Sequence, residues 1–302
     1  MSEERTISSL RAGDEVRGVY ACVRKDRRKT RTGSPYLALE LRDRSGSVQA
    51  RAFRDADQLA GLFERGDIVR VIGRVERFRD ELVVEVADIR RQEPDGGAPT
   101  EAITQAFLPV TYRDFEELDG FLEHLASEVY DPGYRALLDT LMADAQLRAD
   151  LRRTPCSRAG HHAYLGGLLE HTVAVATLAR ELCELHRRLN SDLLLTAAIV
   201  HDIGRTREFT YTAEIGLTDE GRLLGHLALG QQLLIERFAT LGEALDDSRR
   251  LALLHCVMAH HGAAGLPGGR FGSPEALALY RLNALDAGVK GVLEHGLGPA
   301  EG

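Results

Sequence analysis

The feature that most constrains this chain is a set of titratable side chains placed inside apolar helical runs. The run at residues 193–200 is apolar but for Thr196 and ends in His201-Asp202, followed by Ile203-Gly204. His171 lies within residues 167–180, where apolar side chains recur at helical spacing. His226 follows Leu223-Leu224-Gly225, His260-His261 close a helix-like stretch at 251–259, and Asp286 interrupts the apolar segment around Leu282 and Leu285. An unpaired ionisable group in a core is costly, so each interruption needs a partner. Any one of these histidines fits a hydrogen-bonded core residue, and a lone His-Asp pair fits a capped helix end. As a group they call for a partner they can share, and a cation is that partner. Imidazole nitrogen beside carboxylate oxygen suits Mn, Fe, Co, Ni or Zn better than Ca.

Charge divides the chain into two different objects. Residues 1–91 hold 20 of the 38 Lys+Arg and 16 of the 46 Asp+Glu, a net of +4, which leaves 18 against 30, or −12, for the rest. The change falls at Glu93-Pro94-Asp95-Gly96-Gly97, rich in turn formers and poor in apolar residues. The expected division is therefore a first domain at 1–92, a linker at 93–104 and a second domain at 105–302. No segment approaches the ~18 to 20 uncharged apolar residues that span a bilayer, and the first residues lead into no signal-peptide core. The expectation is a soluble, cytoplasmic protein with no membrane partner. Cys22, Cys156, Cys183 and Cys256 are scattered without a Cys-x-x-Cys pair, which points to buried free thiols rather than a zinc ribbon or a disulfide framework.

In the first domain, strand-like segments at 14–23, 36–41, 47–53, 68–78 and 81–89 alternate with turn signals, with a short helix-like stretch before the fourth. Five short strands predict a small closed barrel. The run from Pro35 to Phe53 resembles the second and third strands of a nucleic-acid-binding OB-fold. Between the first two strands lie Arg24, Lys25, Arg27, Arg28, Lys29 and Arg31 with a single acid, Asp26. At that place the cluster suits the phosphates of a single strand, although a mobile solvated hairpin has the same composition. Tyr36 and Phe53 are the candidates for stacking on bases, and barrel core would explain either equally well.

The order His, His-Asp, His, His-His, Asp resembles the HD-domain superfamily of metal-dependent phosphohydrolases, an all-helical fold. The resemblance implies that His171, His201, Asp202 and Asp286 ligate one ion, that His226, His260 and His261 add the ligands of two-metal members, and that Asp202 bridges. The expected architecture is thus multidomain α and β, an N-terminal five-stranded OB-fold barrel followed by an all-α HD domain. That tandem, with the segments at 155–169, 193–205, 220–226, 259–262 and 272–275 and with Asn283-Ala284-Leu285-Asp286, resembles the YhaM-type exoribonucleases over nearly the whole chain. This implies 3′-to-5′ hydrolysis of single-stranded RNA, and of single-stranded DNA in some cases, to nucleoside 5′-monophosphates. The implied cofactors are two divalent transition-metal ions, manganese favoured and Co, Fe, Ni or Zn as alternatives.

His201, Asp202 and Arg205 form the expected catalytic group. Arg205 stands where that family has Lys, keeping a positive charge for phosphate. Glu208, three residues on, either holds this guanidinium or pairs at the surface. His161 and His162 precede the His171 helix in a loop, and contact with phosphate or the terminal nucleotide weighs equally with two exposed loop residues. No nucleophilic Ser or Cys with an obvious base and no phosphate-cradling Gly-x-x-x-x-Gly-Lys loop appears, which leaves water activated by two metals as the mechanism. Two other readings stand beside it. The helical domain acts on small nucleotides with the barrel regulatory, or the protein is a non-catalytic nucleic-acid-binding adaptor. The sequence leaves the oligomeric state open.

Overall fold

The computed structural model describes residues 6–79, 81–92, 107–211 and 214–297. Two compact units result, Met1–Pro109 with Thr210–Gly216, and Val110–Phe209 with Leu217–Gly302. The expected linker at 93–104 lies outside the described residues.

In the first unit the five expected strands are present as β1 (Glu15–Lys29), β2 (Pro35–Asp43), β3 (Gly46–Ala52), β4 (Ile68–Phe78) and β5 (Glu81–Arg91). They close a barrel in the order β1-β2-β3-β5-β4, with β1 returning to pair antiparallel with β4 and β3 running parallel to β5. Period-two alternation does the folding. Leu37, Leu39 and Leu41 of β2 point inward and are fully buried, while Tyr36, Ala38 and Glu40 alternate outward. Valines of β4 and β5 fill the same core together with Leu59 and Phe63, and Leu59 belongs to the short helix α1 (Ala56–Ala60).

One boundary differs in a way that matters. The basic run was expected in a loop, but β1 continues to Lys29, paired with Pro35, so that only Thr30 to Ser34 turn. In a strand, neighbours face opposite sides, and a register shift between Cys22 and Arg24 sets which side each takes. Lys25 consequently faces away from Arg24 and Arg28. Its ammonium donates to the carbonyls of Ala60 (2.8 Å) and Phe63 and to Glu64 (3.0 Å), a cation seated at the C-terminal end of α1.

The second unit is helical: α2 (Phe115–Ser127), α3 (Pro132–Met142), α4 (Ala145–Arg153), α5 (Gly167–Leu185), α6 (Ser191–Val200), α7 (Arg205–Glu208), α8 (Asp219–Leu241), α9 (Asp247–Ala259) and α10 (Pro274–His295). Starts are legible as caps. Asp114, Asp131, Asp144, Asn190, Thr218, Asp246 and Ser273 each accept a backbone N–H of the first turn, and Pro132 and Pro274 follow two of them. α6 is buried without a break from Leu193 to Val200 and packs against α5, α9 and α10, which makes it the axis of the unit. An all-round apolar helix has no solvent face, so its end lies inside the protein. No helix among the described residues is long and apolar enough to cross a membrane.

Candidate metal centre

Two helices end inside the second unit, and both ends are built alike. At the C-terminus of α6, His201 Nδ1 donates to the carbonyl of Ala198 at 2.8 Å; at the C-terminus of α9, His260 Nδ1 donates to the carbonyl of Val257 at 2.6 Å. Carbonyls left over by a helix end are satisfied in this way. The same bonds fix the tautomer, because a proton on Nδ1 leaves Nε2 with a bare lone pair in the neutral ring. Burial holds His201 well below the usual imidazole range, which keeps it neutral.

His171, on the first turns of α5, is aimed from behind: its Nδ1 lies 2.6 Å from Asp286 Oδ2. Its Nε2 then meets only acceptors. His201 Nε2 is 3.2 Å away, Asn283 Oδ1 3.0 Å and Asp202 Oδ2 3.9 Å. The Asn283 amide is oriented by its own nitrogen, which donates to the His260 carbonyl at 3.3 Å. On the other side of Asp202, Oδ1 lies 3.3 Å from His260 Nε2 and 3.4 Å from His226 Nε2, and His226 Nε2 is 2.8 Å from His261 Nε2. Asp202 Oδ1 and His260 Nε2 are buried without any hydrogen-bond partner.

Apart from Arg205 and Cys156 on Asp202 Oδ2, these lone pairs face one another, which protons or cations reconcile, and the soft-nitrogen, hard-oxygen mixture fits a transition metal. The residues therefore fit the ions the sequence implies. Four groups among the described residues bring their ligand atoms within 4.8 Å of one another, His171-His201-Asp202, Asp202-His226-His260-His261, His162-His171-Asp286 and Cys156-His161-His171, and the first two share the Asp202 carboxylate. The Asp202 carboxyl is held well below the ordinary range against the effect of burial, chiefly by the neighbouring Arg205 and His201. His171, His201, Asp202 and His260 are fully buried, whereas His226 is half-buried and His261 exposed, so the second group lies toward solvent.

Local backbone explains His226. α8 is broken at Gly225, whose φ of 71° and ψ of 165° lie where glycine alone is at ease. The break starts a new helical segment at His226, and Glu208 Oε1 accepts its freed amide at 3.2 Å. Gly204, two residues after Asp202, lets this segment approach; a Cβ there would sit 2.1 Å from the His226 carbonyl oxygen and 2.3 Å from the Gly230 nitrogen.

Other expected site residues are placed differently. Asp286 meets His171 at Nδ1, on the far side of the ring from the Nε2 cluster, and Asn283, one turn earlier on α10, faces that cluster instead. A helix puts positions three apart on one face but a turn apart in height, so the sequence alone does not say which of the two reaches the pocket. Arg205 is buried, its Nε donating to Asp202 Oδ2 at 2.7 Å and its Nη1 to Glu208 at 3.3 Å; it braces Asp202 rather than presenting itself to solvent. His162 is 1% exposed with φ 49°, which removes it from contact with substrate, while His161 is half-buried with its ring centroid 5.2 Å from that of His171. Burial pushes His161 down to about 4. Cys156, which the cysteine pattern did not single out, lies 3.7 Å from Asp202 Oδ2. All four cysteines are free.

On the barrel's outer surface, Tyr36 and Phe53 stack with ring centroids 5.3 Å apart and an interplanar angle of 28°. Arg51, outward on β3 beside Phe53, lies over exposed Phe78 at 4.2 Å, and Arg79 approaches the same ring at 5.4 Å. Phe78 is the last residue of β4 and Arg79 follows it in the turn to β5, where neither carried a signal that set it apart as a nucleic-acid contact. Arg24 and Arg28 share Asp26, Arg27 pairs with Asp57, and Lys29 and Arg31 are exposed.

Comparisons with known proteins agree with both units. Residues 19–91 match the OB-fold nucleic acid binding domain and residues 168–288 match the HD domain. The chain is thus an OB-fold and HD-domain protein. Along most of its length it is similar to curated 3′-5′ exoribonucleases: it is 28% identical to 3′-5′ exoribonuclease YhaM of Oceanobacillus iheyensis over 91% of this chain and 84% of that one. It is 27% identical to the protein of that name from Bacillus subtilis over 84% of this chain and 79% of that one. Among solved structures, the second OB-fold domain of replication protein A from Methanococcus maripaludis is similar at 22% identity and TM-score 0.25, covering 30% of this chain and 95% of that one.

Proposed function

We propose that this protein is a metal-dependent 3′-to-5′ exoribonuclease that hydrolyses single-stranded RNA, and single-stranded DNA as a second substrate, to nucleoside 5′-monophosphates. The observation that carries the reading is Asp202, a single buried carboxylate whose two oxygens face two separate sets of imidazoles. His171, His201, Asp202 and the neutral oxygen of Asn283 would hold one ion; Asp202, His226, His260 and His261 would hold the other, with manganese the favoured element. When bound, such a pair supplies charge to the phosphoryl oxygens and lowers the pKa of an attacking water. The chain's own residues do the rest. Arg205 and Glu208 lock the Asp202 carboxylate in one rotamer, the two helix-end carbonyls keep His201 and His260 in the ligating tautomer, and exposed His261 marks the side from which a strand end enters. The barrel retains the strand, with Tyr36, Phe53 and Phe78 stacking on bases and Arg24, Arg28, Lys29, Arg31, Arg51 and Arg79 meeting phosphates.

The test is a 20-mer RNA labelled at the 5′ or the 3′ end, with Mn²⁺ or with EDTA. We expect a descending ladder from the 5′-labelled strand, immediate release of labelled mononucleotide from the 3′-labelled strand, and intact RNA in EDTA. Cleavage of free nucleotides alone would instead favour the small-nucleotide reading. A second prediction concerns the barrel. Stacking contributes about 1–3 kcal/mol per base, so Phe53→Ala and Phe78→Ala should each weaken single-strand binding roughly 5- to 150-fold. Fluorescence anisotropy in EDTA at fixed salt measures this, and hydrolysis of bis-p-nitrophenyl phosphate by the same variants should be unchanged.

A further inference from the structure

Behind His171 runs a line of buried and half-buried polar side chains. Asp286 Oδ2 accepts from His171 Nδ1 at 2.6 Å and from His162 Nε2 at 3.0 Å. His162 Nδ1 is 3.0 Å from the Tyr164 hydroxyl, which donates to Glu170 Oε2 at 2.9 Å. Glu170 also accepts from Thr111 at 2.6 Å and from Lys290 at 2.8 Å. Glu170 directly precedes His171 on α5, and Lys290 lies one turn beyond Asp286 on α10. The line therefore begins and ends on the same two helices.

Stability alone does not account for this arrangement. Burying paired charges is commonly no better than packing apolar side chains in the same volume, and His162 keeps a left-handed φ of 49° that a non-glycine residue adopts at a cost. Its position is enforced: a Cβ on Gly167 would lie 2.1 Å from the His162 carbonyl oxygen, which accepts the Cys156 amide at 3.0 Å. A strained, buried imidazole bridging a carboxylate and a tyrosine is what orienting a metal-binding histidine requires, because the partner of the distal ring nitrogen sets both the tautomer and the ring plane.

We propose that Asp286, His162, Tyr164 and Glu170 are positioning residues that aim His171 Nε2 at the ion, and that Asp286 is a partner of His171 rather than a ligand. The assignment rests on the metal-centre reading above. The test measures Mn²⁺ binding by calorimetry on the full chain, with circular dichroism as the check on folding. Tyr164→Phe and His162→Ala are expected to weaken one of two Mn²⁺ sites about 10- to 100-fold and to leave the other, and RNA affinity in EDTA, unchanged. His162→Gln, whose amide can donate to Asp286, should recover part of the loss. The double variant should be no worse than His162→Ala, since both changes cut one line. Asp286→Asn should fall in the same partial range. Wild-type Mn²⁺ affinity in folded Tyr164→Phe and His162→Ala overturns the proposal, and so does complete loss of that site in Asp286→Asn, which would make it a ligand. Should His171→Ala and Asp202→Asn also bind Mn²⁺ normally, the failure lies with the metal-centre reading instead.

Discussion

Asp202→Asn should reduce RNA hydrolysis at least about a thousandfold, on the order of 4 kcal/mol of transition-state stabilisation, and cut Mn²⁺ stoichiometry from two to below one. The substitution keeps size and shape, so what it removes is charge. Wild-type Asp202 offers one oxygen to the His171 and His201 side and the other to His226 and His260. An amide gives one of those sides an N–H donor, which satisfies a bare Nε2 and repels a cation from it. The centre also loses the only carboxylate among the ligand atoms of the two groups that share it, since the oxygen on the α10 side comes from neutral Asn283. Dependence on a single negative charge is why the effect should exceed that of deleting one histidine. His201→Ala and His260→Ala are each expected to lose one ion and keep the other, which calorimetry would resolve as stoichiometries near one. Equal, modest losses from all three would place the ions elsewhere.

Much of this was legible in the chain, for physical reasons that differ by region. The barrel strands announced themselves because one face is buried and the other wet, so hydrophobicity alternates; β4 was located to the residue. The ends of the basic run were not, because a long charged hairpin arm carries no apolar alternation once it leaves the core, and composition alone cannot tell an extended pair from a loop. Asp202 and the histidines stood out because each breaks an apolar helix. Asn283 did not, being neutral and three residues from a more conspicuous aspartate. The support network was invisible for a further reason. Thr111, Tyr164, Glu170 and Lys290 are ordinary polar residues in sequence, and only the convergence of a loop with two helices reveals that they meet. Candidate ligands are read from periodicity, whereas the groups proposed to orient them depend on tertiary approach.

Gly204→Ala carries the second large effect, and it follows from contact rather than conformation. Gly204 has φ −65° and ψ −18°, values alanine adopts freely, so no backbone strain accompanies the change. The new methyl, however, would begin 2.1 Å from the His226 carbonyl oxygen, 2.3 Å from the Gly230 nitrogen and 2.8 Å from the Gly230 Cα. All three are main-chain atoms of one helical segment, which cannot yield by changing a rotamer. The segment must move bodily by about 1 Å or more to reach ordinary contact, and overpacking of this kind costs about 1–3 kcal/mol or somewhat beyond. For a domain of this size that lowers Tm by roughly 2–4 °C per kcal/mol. Gly120→Ala is the counter-example. It lies exposed within α2 with nothing near the added methyl, and should stabilise by about 0.5–1 kcal/mol. The displacement in Gly204→Ala also carries His226 away from Asp202 and His261, whereas His171 and His201 stand on other helices. Differential scanning calorimetry should therefore show a lowered Tm, and Mn²⁺ titration of the same folded protein should show the solvent-side ion lost or weakened with the inner one retained. A variant with unchanged Tm and two unchanged ions would mean that α8 does not pack against the turn after Asp202 as closely as the structure places it.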